Sequence, residues 1–64
     1  MVEARTVRLL DHGSLFLHVA TSEEIECERQ AMEAAHGEQL AIFRVTHETR
    51  SGARVTRVEW EILS

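Results

Sequence analysis

The sequence predicts an α+β domain in the order ββαββ, a four-stranded antiparallel or mixed sheet with one helix packed on one face. Three stretches carry that expectation. They are a capped amphipathic run in the middle, an alternating segment folded at Ser51-Gly52, and a second alternating segment interrupted near Gly13.

The N-terminal stretch "ARTVRLLDHGSLFLHVA" reads as a hairpin turning near His12-Gly13-Ser14. A three-residue loop pairs Val7 with Val19 and Leu9 with Leu17, which builds one apolar face and leaves Leu10 and Phe16 on the back. A two-residue loop instead gathers Leu10, Leu15, Leu17 and Val19 on one face. The first arrangement gives the cleaner core face and is the one expected.

The central stretch "SEEIECERQAMEAAHG" carries helix signals at both ends. Thr21 with Glu24 three residues on fits a capping box, with Ser22 as a competing N-cap, and the early glutamates suit the positive end of the helix dipole. His36-Gly37 fits a polar last turn followed by a left-handed cap. At 100° per residue Ile25, Ala31, Met32 and Ala35 share a stripe, while Glu23, Glu26, Gln30 and Glu33 lie opposite. Glu28 falls inside the apolar stripe and is the one discordant residue.

The C-terminal stretch "RVTHETRSGARVTRVEWEIL" is a hairpin with a two-residue loop at Ser51-Gly52. That loop pairs Arg50 with Ala53, His47 with Thr56, Val45 with Val58, Phe43 with Trp60 and Ala41 with Ile62. The opposite face pairs Arg44 with Glu59, Thr46 with Arg57, Glu48 with Val55 and Ile42 with Glu61. A one-residue slip separates Val58 and Trp60 from their partners, so the apolar pattern selects the register. The expected core is Val7, Leu9, Leu17, Val19, Ile25, Met32, Phe43, Val45, Val58, Trp60 and Ile62.

Sixty-four residues form one domain, 1–64, near the size at which a single core supports folding only marginally, so oligomerisation or partner binding is expected. No run approaches the roughly 18 apolar residues of a membrane span, and the N-terminus lacks a signal-peptide pattern, which leads to the expectation of a cytoplasmic protein without membrane association. The single cysteine, Cys27, precludes an intrachain disulfide and a cysteine-pair zinc site.

Chemistry-bearing patterns are sparse. None of His12, His18, His36 and His47 has metal-ligand spacing with another or with Cys27. Cys27 is surrounded by glutamates that oppose thiolate formation. No nucleophile elbow, phosphate loop or dinucleotide fingerprint occurs. The expectation is therefore a non-enzyme with no cofactor and no metal.

Charge is the informative property. The net charge of −4 argues against a general nucleic-acid coat. The distribution divides into an acidic helix, with six glutamates from Ser22 to Glu38 against Arg29, and a basic hairpin, with Arg44, Arg50, Arg54 and Arg57 against Glu48 from Leu40 to Val58. The reading that follows is a small protein-interaction module, an adaptor or inhibitor acting on another protein and forming a homodimer. Leu10, Phe16 and Ile42 supply apolar contact, while Arg50, Arg54 and Arg57 or Glu23, Glu26 and Glu33 supply selectivity. An acidic helix of this kind can also imitate nucleic-acid phosphates, as small inhibitors from phages and mobile elements do. The alternative is a dimeric β-ribbon that binds nucleic acid through the arginine-flanked turn.

Overall fold

The structure is a computed structural model that describes residues 6–63. The elements are β1 (Ser14–Phe16), α1 (Ser22–His36), β2 (Gln39–Arg50) and β3 (Ala53–Leu63). The sheet is antiparallel with the order β1-β3-β2. The expected α+β class is present with one helix, but among the described residues the sheet has three strands, and the ββαββ order gives way to βαββ.

The N-terminal segment does not fold back on itself. Leu9 bridges Glu61, the Leu10 amide donates to the Trp60 carbonyl, and the Ile62 amide donates to the Arg8 carbonyl. Ser14, Leu15 and Phe16 then pair with Val58, Arg57 and Thr56. The whole stretch therefore runs along one edge of β3 in one direction. Leu9 to Ser14 takes five steps against three from Glu61 to Val58, so the strand is interrupted at Asp11-His12-Gly13 by two extra residues. Gly13 works there by close approach, because a Cβ on it would overlap the carbonyl oxygen of Val58.

This path reverses the expected faces. Ser14 and Phe16 pair with Val58 and Thr56 of β3, and Leu10 and Phe16 pack against the core cluster. Val7, Leu9, Leu17 and Val19 are exposed, with Leu17 at 78 %. The assignment of Leu10 and Phe16 to a back surface is thus overturned, and so is the placing of those four residues in the core. The apolar run Leu15-Phe16-Leu17 can present either parity to a sheet. Pairing with β3 decides between them, through the chain path set at Gly13.

The second hairpin follows the expected register from Arg50–Ala53 to Arg44–Glu59. Ser51 and Gly52 have φ of 50° and 80°, the doubly positive turn whose twist suits a two-residue hairpin loop. Beyond Arg44 the register shifts, so that Ile42, Ala41 and Leu40 pair with Trp60, Glu61 and Ile62, and Phe43 is the extra residue of a bulge. The expected Phe43–Trp60, Ile42–Glu61 and Ala41–Ile62 pairs are not formed. The bulge has a physical rationale in "LAIFRV". Strict alternation can turn inward either Leu40 and Ile42 or Val45, whereas one extra residue aligns all three with Val58, Trp60 and Ile62.

The core is small: Ile25, Leu40, Val58 and Trp60 are buried, and Leu10, Phe16, Ala20, Met32 and Ile62 pack around them. Leu40 replaces Phe43 and Val45, each 38 % exposed, among the expected core residues. On the central strand β3, Thr56, Val58 and Trp60 are nearly inaccessible because they lie on the face that carries the core packing, whereas Arg57 between them is exposed.

The helix forms as its capping signals predict. The Thr21 hydroxyl accepts from the Glu24 amide while the Glu24 carboxylate accepts from the Thr21 amide, and Gly37 closes the helix at φ 68°. Glu28 loses its discordance: it accepts from the Ser14 hydroxyl at 2.7 Å, and Ser14 in turn accepts from the Trp60 indole at 2.8 Å.

Candidate functional site

Two features decide what the surface can offer: which backbone groups of the sheet are left unpaired, and which charges are already neutralised. The first follows from strand polarity. Trp60 and Ile62 direct their backbone groups toward the N-terminal segment. Alternation then turns Val55, Arg57, Glu59 and Glu61 toward β2, so their partners Glu48, Thr46, Arg44 and Ala41 face β3. Leu40, Ile42, Val45, His47 and Thr49 must point their amides and carbonyls away from the sheet.

At Leu40 those groups are sealed by the helix. The Leu40 amide donates to Glu33 at 2.8 Å, and its carbonyl accepts from Arg29 at 3.2 Å. Arg29 also holds Glu33 at 2.8 Å and grips both oxygens of Glu26. The bidentate grip and a bond from Gln30 lower the Glu26 carboxyl to about 2. The Glu24 carboxyl is also lowered, first by the Thr21 amide and then by His18.

Beyond the bulge no such seal exists among the described residues. A helix of 15 residues is about 22 Å long, whereas the 12 residues of β2 extend about 40 Å. The helix therefore runs out before the hairpin does. Ile42, Phe43 and Val45 lie exposed along this edge, Ile42 at 46 %. The Arg44 guanidinium sits 5.3 Å from the centroid of the Phe43 ring.

The charges of the hairpin are partly paired. Arg44 lies 3.6 Å from Glu59, and Glu48 lies between Arg57 at 3.4 Å and Arg50 at 3.6 Å. Arg44–Glu59 and Glu48–Arg57 are the cross-strand and diagonal neighbours that the hairpin register implies, whereas the Glu48–Arg50 contact engages a tip arginine expected to be free. The Glu48 Oε1 atom is buried and has no hydrogen bond, because both guanidinium contacts are too long or poorly aimed. Arg54, expected to be available together with Arg50, is exposed and has no ion-pair partner among the described residues.

The remaining predicted site residues fall into separate places. Glu26 and Glu33 are engaged by Arg29, whereas Glu23 is exposed in the first helical turn. Leu10 and Phe16 belong to the core side, while Ile42 is at the surface. Two residues were missed as surface groups: Phe43, displaced by the bulge, and Val45, which keeps its expected place opposite Val58 but lies beyond the reach of the helix. The only trace of the bulge in the sequence is an apolar run too long for strict alternation.

Thr56 is a buried junction at the base of the hairpin arm. Its hydroxyl accepts from the Ala20 amide at 2.9 Å and donates to the His18 carbonyl at 3.0 Å. With its one proton committed, its 3.1 Å contact to His47 Nδ1 is a hydrogen bond in which the imidazole donates.

A concavity of about 300 Å³ lies at the Asp11–Gly13 excursion and is lined by Leu9, Leu10, Asp11, Leu15, Arg57 and Glu59 among others. Cys27 is exposed beside Glu23, Glu24 and Glu28. Among the described residues no group of three or more His, Cys, Asp or Glu is placed to hold a metal ion, and no helix is long and apolar enough to cross a membrane. Compared with known protein families, curated protein sequences and solved structures, the chain has no match.

Proposed function

We propose that the chain is a small, non-catalytic protein-interaction module, an adaptor or inhibitor that acts as a homodimer on another protein. The observation that carries this reading is the open outer edge of β2, where outward backbone groups at Val45, His47 and Thr49 adjoin exposed Ile42, Phe43 and Val45. An edge of this kind binds extended chain by strand addition, in which main-chain hydrogen bonds supply affinity and side chains supply selectivity. The small core supports the same reading, since a domain of this size gains stability by covering such surface.

Arginine at the tip and the exposed glutamates of the helix would supply selectivity. Phosphate mimicry by the helix is weakened, because Glu26 and Glu33 are both ion-paired to Arg29, which offsets one of their two charges. A second reading, a dimeric β-ribbon on nucleic acid, is favoured by one observation, the exposed Arg54 at the end of the hairpin arm, which has no ion-pair partner among the described residues. Its limit is that Arg44 and Arg57 have carboxylate neighbours.

The test is capture by the tagged chain from lysate of its own organism, with and without nuclease. A discrete protein retained at fixed stoichiometry in both halves supports the module. Nucleic acid retained alone, lost after nuclease and lost with Arg50→Ala plus Arg54→Ala, overturns it in favour of the ribbon.

A further inference from the structure

We propose that β2 pairs antiparallel with β2 of a second copy, about a two-fold axis at Thr46, to make a continuous six-stranded sheet. The inference rests on the homodimeric part of the reading above and gives it an interface and a register.

Polarity limits the choices. Main-chain bonds can form only between residues whose groups point outward, and beyond the bulge these are Val45, His47 and Thr49. Self-pairing about an axis at Val45 sets Arg44 against Thr46, and about an axis at His47 it sets Arg44 against Arg50, a like-charge pair. An axis at Thr46 sets Arg44 of each copy against Glu48 of the other. Val45 of one copy then exchanges both main-chain bonds with His47 of its partner, and symmetry repeats the exchange, giving four hydrogen bonds. Among the axes at Val45, Thr46 and His47, only the one at Thr46 sets opposite charges against each other, Arg44 against Glu48 in both symmetry-related places.

The side chains suit that placement. Arg44 is 62 % exposed and held to Glu59 at only 3.6 Å, so it is able to reach across. Glu48 is 38 % exposed and its contacts to Arg50 and Arg57 are long, which leaves it short of good donors. The same register carries the arginine-flanked turn of each copy to the level of Leu40 of the other. There Arg29 and Glu33 seal the edge, and the acidic helix ends close by. The open segment ends where the self-pairing ends.

The experiment begins with sedimentation equilibrium of the intact chain, expected to give twice 7.3 kDa. Arg44→Glu and Glu48→Arg, each alone, place like charges across the axis twice and weaken the dimer by about tenfold or more. Mixing the two variants restores it as a heterodimer, because every 44–48 contact is again of opposite sign. Register is read independently with Thr46→Cys in a Cys27→Ser background. Directly opposed, non-hydrogen-bonded residues have Cα atoms about 4.5 Å apart, within disulfide reach. Oxidised glutathione should therefore cross-link Thr46→Cys rapidly and Thr49→Cys slowly. Circular dichroism on each variant separates loss of pairing from loss of fold. A monomer at high micromolar concentration, or a dimer that neither responds to the mixed charges nor cross-links at position 46, overturns the proposal. Capture of a protein by a monomeric chain would leave the interaction-module reading standing without this dimer, whereas a cross-linked dimer that captures only nucleic acid would overturn that reading alone.

Discussion

The indole Nε1–H of Trp60 donates to the Ser14 hydroxyl at 2.8 Å, joining residues 46 positions apart in the most buried part of the molecule. Ser14 passes its own proton to Glu28 on the helix at 2.7 Å, so one hydroxyl links the central strand, the edge strand and the helix. Removing it leaves a buried indole N–H without a partner, at a cost of about 1–3 kcal/mol. Ser14→Ala should lose that much in denaturant unfolding followed by Trp60 emission. Glu28→Gln should lose far less, since its amide oxygen still accepts. Equal losses would mean that Glu28 acts by charge.

The two non-turn glycines should respond to alanine for different reasons. Gly13→Ala places a Cβ against the Val58 carbonyl, a backbone atom that no rotamer change moves aside, and should cost about 2 kcal/mol. Gly37→Ala meets nothing but keeps φ at 68°, and should cost about 1 kcal/mol. Amide exchange distinguishes them. Only Gly13→Ala should speed exchange at Leu10, whose amide bonds to Trp60. An unchanged Leu10 rate would place the strain elsewhere.

Phe16 and Leu17 are adjacent and should behave oppositely. Phe16 packs on the core and meets the His18 ring edge-on at 5.9 Å, so Phe16→Ser should destabilise by about 2–3 kcal/mol. Leu17→Ser should stay within about 0.5 kcal/mol of the parent. Melting curves of the two variants test the assignment of faces, and the reverse order would restore the hairpin pattern expected from sequence.

Acid should weaken the fold through Glu26. Its carboxyl lies near 4.5 when unperturbed and at about 2 in the folded chain, because Arg29 and Gln30 bond to the charged form. A lowered native value gives stabilisation that is complete above 4.5 and is lost as pH falls through the folded value of about 2, below which both states are protonated. Unfolding curves taken across that window should slope less steeply in Glu26→Gln than in the parent. An identical slope would show that the exposed pair contributes nothing measurable, as surface pairs often do.

What could be read in the sequence was what local physics fixes. Thr21 and Glu24 cap the helix because their groups meet within one turn, and Gly37 ends it because a left-handed residue costs glycine nothing. Ser51-Gly52 dictates a two-residue turn, and from it the register runs outward correctly to Arg44–Glu59, carrying the Glu48–Arg57 neighbours with it. Those features depend on residues a few positions apart, or joined through one tight turn. The paths of the N-terminal segment and of β2 beyond Arg44 were decided at longer range. Asp11-His12-Gly13 can turn a chain or merely jog it, and β3 offers an edge whose bonds reward the jog. Phe43 lost its place opposite Trp60 because one extra residue sets Leu40, Ile42 and Val45 against Ile62, Trp60 and Val58 and buries Leu40. The sequence alone determined the helix, the turn and the charge map. Only tertiary packing decided which apolar parity faced inward, because the energy that distinguishes the two comes from Trp60 and its neighbours across the sheet.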